Sequence, residues 1–555
     1  MEKLWLRSYP PGIPAEVDVN EFSSLGDLFE RSVKRWPERT AYINMGRHLS
    51  YRQLDEYSAQ FASWLQTTLQ LPRGVRVALM MPNVLQYPIS MFGALRGGYT
   101  VVNCNPLYTP RELSHQLRDS GADVIVVLEN FAHTLQEVIA QTQIKHVVVT
   151  RIGELLGAKG VLIDLVVRYV KRRVPAWSLP GCVSFRAALK AGARQPMQPV
   201  DVRQDDLAYL QYTGGTTGVA KGAMLTHGNL IANLQQAHAW IKPCIDEGSE
   251  VVITALPLYH IFSLTANCLT FIKFGASNVL ITNPRDIPGF VKELGRHRFT
   301  VITGVNTLFN ALLNDPGFAA LDFSSLKCSL GGGMAVQQVV AERWKQVTGV
   351  TLGEAYGLTE ASPAVCINPL DQAEFNHSIG LPIPSTDISI RAEDGSELAV
   401  GQAGELCVRG PQVMRGYYRA PEETAKVMTA DGFLRTGDIA IVDQQGFVHL
   451  VDRKKDMILV SGFNVYPNEV EDVVAACPGV REVAAIGVPD ERTGEAVKIF
   501  VVKSDAALDE AALNAHCKAN LAAYKRPRLI EFRQDLPKTN VGKILRRALR
   551  ELPAE

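Results

Sequence analysis

Short apolar runs alternate with stretches of helical periodicity along the first half of the chain. This alternation predicts parallel α/β layers. The runs fall into two separate groups, so we expect two α/β subdomains. The first group is RVALMMP (76–82), ADVIVVL (122–128) and KHVVVT (145–150), and the second is EVVITALPL (250–258), SNVLIT (277–282) and FTVITGV (299–305).

The pattern changes in the last third of the chain. From Gly380 to Tyr418 the sequence has hairpin signals around Asp394 and Gly395 and a strand-like run GELCVRG (404–410), which predicts a β-rich subdomain. A charged break, DRKKD, follows at 452–456, and the remaining hundred residues or so are enough to fold separately. We therefore predict an N-terminal domain (1–451), a hinge (452–456) and a small mobile α+β C-terminal domain (457–555).

One helical stretch, KGVLIDLVVRYVKRR (159–173), carries an apolar stripe beside a basic end. Leu162, Leu165, Val166 and Tyr169 are spaced i, i+3, i+4 and i+7, as on one face of a helix. The basic residues of the stretch are Lys159, Arg168, Lys171, Arg172 and Arg173. Two interpretations stay open: a helix lying at the interface of an anionic membrane, or an ordinary surface helix with a basic end.

The segment YTGGTTGVAKGAMLTH (212–227) combines glycines, hydroxyls and one lysine between two strand-like runs. Glycine lets backbone N–H groups turn inward, and Lys221 adds a positive charge, so the segment predicts a phosphate cradle. The other residues of the cradle are Thr213, Gly214, Gly215, Thr216, Thr217 and Gly218. A P-loop would need its lysine directly after the last glycine and then a helix. Here AMLTH favours a strand, so we expect a hairpin; the alternative is a solvated turn.

Composition narrows the function classes. The chain has 555 residues, of which 46% are hydrophobic and 21% charged, as expected for a globular protein of several subdomains. Its 57 basic and 57 acidic residues give no net charge, so we do not expect the protein to bind nucleic acid. Nine cysteines without a C-x-x-C pair predict reduced thiols in the core. No run approaches the roughly 20 apolar residues of a membrane span, which favours a cytoplasmic protein.

With these motifs in place, the chain resembles the adenylate-forming enzymes: acyl-CoA synthetases, luciferases and peptide-synthetase adenylation domains. The resemblance extends over nearly the whole chain, and within it the closest likeness is to bacterial FadD-type long-chain fatty-acid CoA ligases. The blocks that carry it, in order, are LPLYHIF (256–262), GGGM (331–334), YGLTE (356–360), RTGD (435–438), DRKKD (452–456), SGFNVYP (461–467) and PKTNVGKILRR (537–547).

The resemblance implies that ATP converts a fatty carboxylate to an acyl-adenylate, which the thiol of CoA then attacks. It implies catalytic roles for Lys543, Glu360 and His260, with Lys543 bridging the carboxylate and the α-phosphate. A hard cation prefers oxygen ligands, so we assign Mg²⁺ to Glu360 and Thr213. It further implies adenine contacts from Gly331, Gly332, Gly333 and Tyr356, and ribose contacts from Asp438 and Arg453. The remaining nucleotide or coenzyme contacts that it implies are Gly357, Thr359, Asp452, Ser461 and Gly462.

The same resemblance implies a rotation at Asp452 that removes Lys543 and brings in the SGFNVYP loop for the second step. One feature departs from the family: no tryptophan follows His260 in IFSLTANC (261–268), so the acyl gate of some long-chain members has no counterpart there. The helical segment GVNTLFNALL (304–313) either lines the acyl tunnel or belongs to the core.

Three functions remain open from the sequence. The first is an acid–thiol ligase that makes acyl-CoA for degradation or lipid synthesis. The second is an adenylating enzyme that loads a carrier protein. The third is a binding protein without activity, which the presence of Lys543, Glu360 and Asp438 disfavours. Peripheral contact with the cytoplasmic membrane face, a homodimer and the acyl length are left open.

Overall fold

The computed structural model describes residues 2–214, 220–453, 455–461, 463–490, 492–539 and 541–551. Its architecture is mixed α/β, as the sequence predicts. Two large sheets with flanking helices make up most of the chain, a four-stranded antiparallel sheet follows, and a five-stranded sheet with its own helices ends it.

The described residues form 25 strands. They are β1 Thr40–Asn44, β2 Arg47–Ser50, β3 Arg76–Met80, β4 Thr100–Asn103, β5 Val124–Leu128, β6 His146–Thr150, β7 Val183–Ser184, β8 Leu207–Gly214, β9 Ala220–Thr226, β10 Val251–Thr254, β11 Ser277–Leu280, β12 Val301–Gly304, β13 Cys328–Gly332, β14 Leu352–Gly357, β15 Ala364–Ile367, β16 Leu381–Pro382, β17 Asp387–Arg391, β18 Gly404–Arg409, β19 Leu434–Val442, β20 Val448–Arg453, β21 Ile458–Val460, β22 Phe463–Val465, β23 Val480–Asp490, β24 Gly494–Lys503 and β25 Leu529–Arg533.

Helices cover the faces of these sheets. The α-helices are α1 Leu25–Arg35, α2 Tyr51–Ser63, α3 Gln86–Arg96, α4 Pro110–Ser120, α5 Ala132–Val138, α6 Ala158–Leu165, α7 Phe185–Gly192, α8 His227–Ile241, α9 Ile261–Ser263, α10 Thr270–Lys273, α11 Ile287–Leu294, α12 Asn306–Leu313, α13 Gln338–Thr348, α14 Pro421–Val427, α15 Pro467–Ala475, α16 Glu510–Asn520 and α17 Arg546–Glu551. Wider π-turns extend three of them, at Trp64–Thr68, Val166–Val170 and Leu264–Leu269. Single 3₁₀ turns lie at Leu4–Ser8, Glu129–Phe131, Ile139–Gln141, Lys242–Cys244, Phe318–Ala320, Thr359–Ala361 and Ala523–Lys525.

Two α/β subdomains are confirmed. The first sheet has the order β7-β6-β5-β3-β4-β8-β9, parallel except for β9, and holds the first group of predicted strands. The second has the order β16-β15-β14-β13-β12-β10-β11-β1-β2 and holds the second group. Its strands from β14 to β1 are parallel, so their carboxyl ends lie at one edge, where ligands bind in open α/β sheets.

The two large sheets are joined through buried polar contacts around α3. Asn83, just before this helix, donates hydrogen bonds to the carbonyls of Thr254 (3.0 Å) and Leu256 (2.9 Å). Its side-chain oxygen accepts the N–H of Leu258 at 2.8 Å. These bonds satisfy the backbone that follows β10, which explains why this strand ends well before the predicted limit at 258.

The β-rich subdomain is also confirmed, as the antiparallel sheet β17-β18-β19-β20. After it, β24 pairs with β21, β23 and β25 in the last sheet, and α15 and α16 pack on the same small core. All nine cysteines are free thiols, and seven of them are buried, in agreement with the prediction of core residues. Among the described residues, no helix has the length and apolar character to cross a bilayer.

Candidate active site

The predicted phosphate cradle begins in a hairpin of the first sheet. Strand β8 pairs with β9 in an antiparallel register that places Thr213 opposite Lys221, as the motif predicts. Gly214 is the last residue of β8. The predicted contacts Gly215, Thr216, Thr217 and Gly218 lie outside the described residues.

Lys221 is engaged by two side chains that the sequence analysis missed. Its ammonium forms an ion pair with Glu423 at the start of α14 and lies 5.3 Å from the centre of the Tyr417 ring. Tyr417 in turn donates its hydroxyl to Oε1 of Glu360 at 2.7 Å. Neither residue lies in one of the recognised blocks, and their separation of about 200 residues from Lys221 gives no sequence signal.

Glu360 is held against the hairpin. It lies in the 3₁₀ turn Thr359–Ala361, which contacts both β8 and β9. The N–H of Met414 donates to the backbone carbonyl of Glu360 at 2.7 Å, so the turn is also tied to the segment before α14. Glu360 and Thr213 therefore present oxygen donors from neighbouring elements, which fits a hard cation shared with phosphate oxygens. No group of three His, Cys, Asp or Glu side chains suited to a metal occurs in the described part of the chain.

The glycines of the GGGM block lie at the carboxyl end of β13. A side chain at Gly332 would bring its Cβ to 2.9 Å from the carbonyl oxygen of Ala355, and Gly333 has a φ of +78°, so both positions require glycine. Gly331 belongs to the same strand and is opposite Glu354 of the neighbouring β14, which ends three residues later at Gly357. The resemblance places adenine beside the ends of these two strands.

Tyr356 and Asp438 form a buried pair. The Tyr356 hydroxyl donates to Oδ2 of Asp438 at 2.6 Å, and burial together with this carboxylate raises the pKa of Tyr356 well above its usual value. Asp438 is opposite Arg453 in the β19–β20 register, with 3.6 Å between Oδ1 and the guanidinium. Tyr356 thus has a role the sequence did not reveal, because its hydroxyl orients the carboxylate predicted to bind ribose.

Lys543 lies in a tight turn, within electrostatic reach of Asp438 and Arg453. Its N–H donates to Oγ1 of Thr539 at 3.0 Å, and its carbonyl accepts the N–H of Thr539 at 2.7 Å. Burial, and then the positive charge of Arg453, lower the pKa of Lys543 to about 7. The Asp438 carboxylate opposes that shift without cancelling it. The structure therefore brings together Lys543, Asp438 and Arg453, from sequence blocks about a hundred residues apart.

The turn is also fastened to the second α/β subdomain. Thr307 of α12 donates its hydroxyl to the carbonyl of Gly542 at 2.8 Å, and Asn310 donates to the carbonyl of Arg481 at 2.9 Å. On its other face α12 places Phe309 and Leu312 in the core. The predicted alternatives for 304–313 were a tunnel wall or a core helix; α12 packs in the core and carries the contacts to the Lys543 turn.

His260 caps α9 at the end of the LPLYHIF block. Its Nδ1 accepts the N–H of Phe262 at 3.3 Å, so the neutral ring carries its proton on Nε2. Burial, and then the positive charge of Lys543, lower the pKa of His260 to about 4. His260 is therefore neutral at pH 7 and lies within the electrostatic reach of Lys543.

Asp452, the predicted hinge residue, is buried in an ionic cluster with the C-terminal segment. Its carboxylate accepts the N–H of Asn468 at 3.0 Å and lies 3.4 Å from Arg546. Arg546 also forms an ion pair with Glu471 at 2.7 Å and is itself only 16% exposed. The structure thus places Asp452 in contact with the C-terminal segment, and its partner is Arg546, to which the sequence analysis gave no role.

The SGFNVYP segment begins at Ser461, directly after β21. Ser461 has a φ of +51° in the turn between β21 and β22, and its N–H donates to the carbonyl of Thr493 at 2.8 Å. It is exposed in this arrangement. Gly462 lies outside the described residues.

Comparison with known proteins identifies the family to which this chain belongs. The model of the AMP-binding enzyme family matches residues 29–418, and that of the AMP-binding enzyme C-terminal domain matches residues 469–543. The chain belongs to the AMP-binding enzyme family. The expected fold and resemblance are confirmed.

Relatives of this AMP-binding enzyme extend over its full length. A long-chain-fatty-acid–CoA ligase of Escherichia coli O157:H7 is 58% identical over 552 residues, which cover 99% of this chain and 98% of the relative. An anthranilate CoA ligase, AuaEII, solved in complex with anthranoyl-AMP, superposes with a TM-score of 0.85 at 26% identity, covering 96% of this chain and 98% of that one. ATP-bound MatB from Rhodopseudomonas palustris gives a TM-score of 0.77 at 27% identity, with 95% and 98% covered.

Proposed function

We propose that this AMP-binding enzyme is a long-chain fatty-acid CoA ligase. The carboxylate attacks the α-phosphorus of ATP and pyrophosphate leaves, forming acyl-AMP. The thiol sulfur of CoA then attacks the acyl carbon, AMP departs with the electrons of the C–O bond, and the thiol proton passes to solvent or a base. The observation that carries the proposal is 58% identity to a long-chain-fatty-acid–CoA ligase across 99% of the chain.

In the first step we assign Lys543 to the negative charge that develops between the carboxylate and the α-phosphate. Placing a cation in a buried site makes its interaction with an anion stronger than in water. The lowered pKa of Lys543 reflects the cost of that burial, which the Asp438 carboxylate offsets only in part. Binding of two anions would restore the charged form, so the lysine is suited to respond to bound substrate.

We assign the other predicted contact residues to different parts of the nucleotide. We assign the ribose hydroxyls to Asp438 and Arg453, and the adenine ring to Tyr356 and the edge at Gly331–Gly333. The phosphates are assigned to the β8–β9 hairpin with Thr359. Mg²⁺ would be held by Glu360 and Thr213 and would neutralise phosphate charge. His260, neutral at pH 7, is assigned to the acyl carboxylate and the approach of the thiol.

For the second step we propose that residues 457–555 rotate about 452–456 as a small domain. Lys543 then leaves the site, and the loop of Ser461 and Gly462 takes its place to line the path of pantetheine. Two features support this proposal. Ser461 is exposed in the present arrangement, and the Lys543 turn is held by few contacts to α12.

A panel of fatty acids from short to very long chains, assayed with ATP, Mg²⁺ and CoA, tests the proposal. AMP and acyl-CoA should appear together and peak with long chains. Omission of Mg²⁺ should stop both products. Acyl-adenylate without acyl-CoA would indicate a carrier protein as acceptor, and no turnover across the panel would overturn the proposal.

We also propose that the enzyme works in the cytoplasm in peripheral contact with the membrane that holds its fatty acid. The exposed apolar face of α6 supports this placement. A homodimer stays a prediction, for which light scattering of the full chain is the direct measurement.

A further inference from the structure

Helix α6 and the π-turn after it expose an apolar surface of unusual size. Five large hydrophobic residues of this segment are between 49% and 74% exposed, nearly half of such residues in the described chain. They are Val161, Leu162, Leu165, Tyr169 and Val170. We refer to these five side chains as the α6 face. Contiguous exposed apolar patches on this scale mark interaction sites.

The helix is turned opposite to an ordinary surface helix, which buries its apolar side and exposes its polar side. Its inner side carries Gly160, which packs so closely on Gly153 that an added Cβ would lie 1.8 Å from the Gly153 carbonyl oxygen. Asp164 accepts the Gly153 N–H at 2.7 Å, and Ile163 packs on the core. The protein therefore holds the helix through Gly160, Ile163 and Asp164 and leaves most of the predicted apolar stripe exposed.

The basic residues of the segment divide into two groups. Arg168 forms an ion pair with the buried Glu129, and Lys159 donates to the carbonyl of Met45 at 2.8 Å, so these two hold the helix in place. Lys171, Arg172 and Arg173 follow the π-turn and are exposed. The α6 face thus ends in three adjacent positive charges, which complement an anionic surface.

The α6 face lies on the edge of the molecule that carries the active site. Helix α6 follows β6, and its tether Glu129 follows β5. Strands β6, β5, β3, β4 and β8 are parallel, so their carboxyl ends share one edge with Thr213. Met45, which accepts from Lys159, follows the carboxyl end of β1 in the other large sheet. A partner on this face would meet the site's side of the protein.

We propose that the α6 face inserts into the outer acyl region of an anionic lipid bilayer, with Lys171, Arg172 and Arg173 on the lipid headgroups. An aromatic and aliphatic stripe flanked by basic residues is the pattern of helices that lie in the membrane interface. The proposal deepens the proposed function, because the bilayer is then the source of the fatty acid. It assigns the contact to one surface and one lipid chemistry.

Vesicle flotation of the full chain tests the surface. The vesicles are phosphatidylcholine and phosphatidylglycerol in a molar ratio of about 7:3, compared with phosphatidylcholine alone. Leu165→Glu should lower the partition coefficient on anionic vesicles by about tenfold, because a charge replaces an inserted side chain. Leu529→Glu is the matched control, since Leu529 is also 49% exposed but lies in β25, and it should bind like the wild type.

A second pair of variants tests the charges. Lys171→Glu with Arg173→Glu should weaken binding to anionic vesicles by about tenfold or more and leave the weak binding to neutral vesicles unchanged. Arg547→Glu, a 73% exposed arginine of α17, is the control for a reversed surface charge. Raised salt should mimic the double variant in the wild type.

Two outcomes would overturn the proposal: Leu165→Glu binding anionic vesicles as tightly as the wild type, or Leu165→Glu converting a dimer to a monomer with no vesicle binding by either. Near-ultraviolet circular dichroism of each variant checks that it is folded. Acyl-CoA formation from detergent-dispersed fatty acid gives the separate readout. It should be unchanged by Leu165→Glu, whereas its absence in the wild type would contradict the proposed function and not the docking surface.

Discussion

Two regions that meet at the site, the β8–β9 hairpin and the Lys543 turn, are built in different ways. The hairpin is part of the first large sheet, with seven residue pairs between its strands and parallel pairing of β8 to β4. The Lys543 turn closes on itself through Thr539 and is joined to α12 by the Thr307–Gly542 hydrogen bond. The hairpin, which we assign to the phosphates, is therefore fixed by the sheet, whereas the proposed withdrawal of Lys543 would break the Thr307–Gly542 hydrogen bond.

This difference suits a reaction whose two steps need the same acyl group in the same place. Phosphate and acyl positions have to be kept between steps, which a sheet does well because many cooperative bonds would have to break. In the proposed mechanism the lysine is required only while pyrophosphate leaves. Its turn is attached to α12 through the hydrogen bond from Thr307 to Gly542, and one bond of this kind contributes about 1 kcal/mol.

Replacement of Lys543 should have the largest effect on the rate of the first step. Lys543→Ala should slow acyl-AMP formation by about a thousandfold, as expected for the loss of a principal charge at the transition state. Synthesis of acyl-CoA from supplied acyl-AMP should stay within about twofold of the wild type. Pyrophosphate exchange measures the first step, and rapid quench with acyl-AMP measures the second. Equal losses in both steps would contradict a lysine that acts only in the first.

Loss of Arg546 should lower the free energy of unfolding, because it breaks the ionic cluster with Asp452 and Glu471. Arg546→Met leaves Asp452 and Glu471 buried without their cation, which should destabilise the chain by about 3–5 kcal/mol. Chemical denaturation monitored by fluorescence gives the free energy of unfolding. Arg547→Met is the matched control, because Arg547 is 73% exposed and pairs with Glu551 along its own helix, so its effect should be within about 0.5 kcal/mol.

The activity of the first step should depend on the charge of Lys543 in the free enzyme. Its pKa of about 7 means that the cation is lost as pH rises through 7, so kcat/KM for adenylation should fall about tenfold per pH unit above that value. His260, with a pKa of about 4, is neutral throughout this range, so its titration does not change the pH profile of kcat/KM above pH 7. Lys543→Arg keeps its charge, so its profile should be flat between pH 7 and 9, at a lower rate. A wild-type profile as flat as that of Lys543→Arg would argue against the assignment.

The smallest effect concerns the attachment of the turn. Thr307→Val keeps the shape of the side chain but removes the donor to Gly542, a loss of about 1 kcal/mol. Adenylation should slow by about fivefold, and the thioester step should be unchanged or slightly faster. Thr351→Val, at a half-buried threonine whose hydroxyl donates to the carbonyl of Ala373, serves as the control. A slower thioester step would mean that Thr307 also serves the second arrangement.

Much of the fold and part of the site could be predicted from local sequence. Apolar runs with the right spacing gave six strands in two groups, and the glycine and threonine pattern gave a hairpin in place of a P-loop. Strand limits were less accurate: β10 stops at Thr254 because the Asn83 side chain takes the following backbone groups. That contact joins residues about 170 positions apart, and no local pattern encodes it.

The residues that orient the predicted site were missed for the same reason. Tyr417 and Glu423 reach Glu360 and Lys221 only because the segment before α14 crosses the hairpin. Arg546 is one of several basic residues near the C-terminus, and nothing in the order of the residues separates it from Arg547. Burial separates them, since one is 16% and the other 73% exposed.

The sequence by itself determined which chemical groups are available and which local elements carry them: the strands, the hairpin, the lysine in its glycine-containing turn and the amphipathic stripe of α6. Only the tertiary structure decided which groups meet, which charges are buried and which way α6 faces. Periodicity shows that a helix has an apolar side, but the direction of that side depends on what the other side contacts. Here Gly160 and Asp164 face inward, so the apolar side of α6 is left exposed.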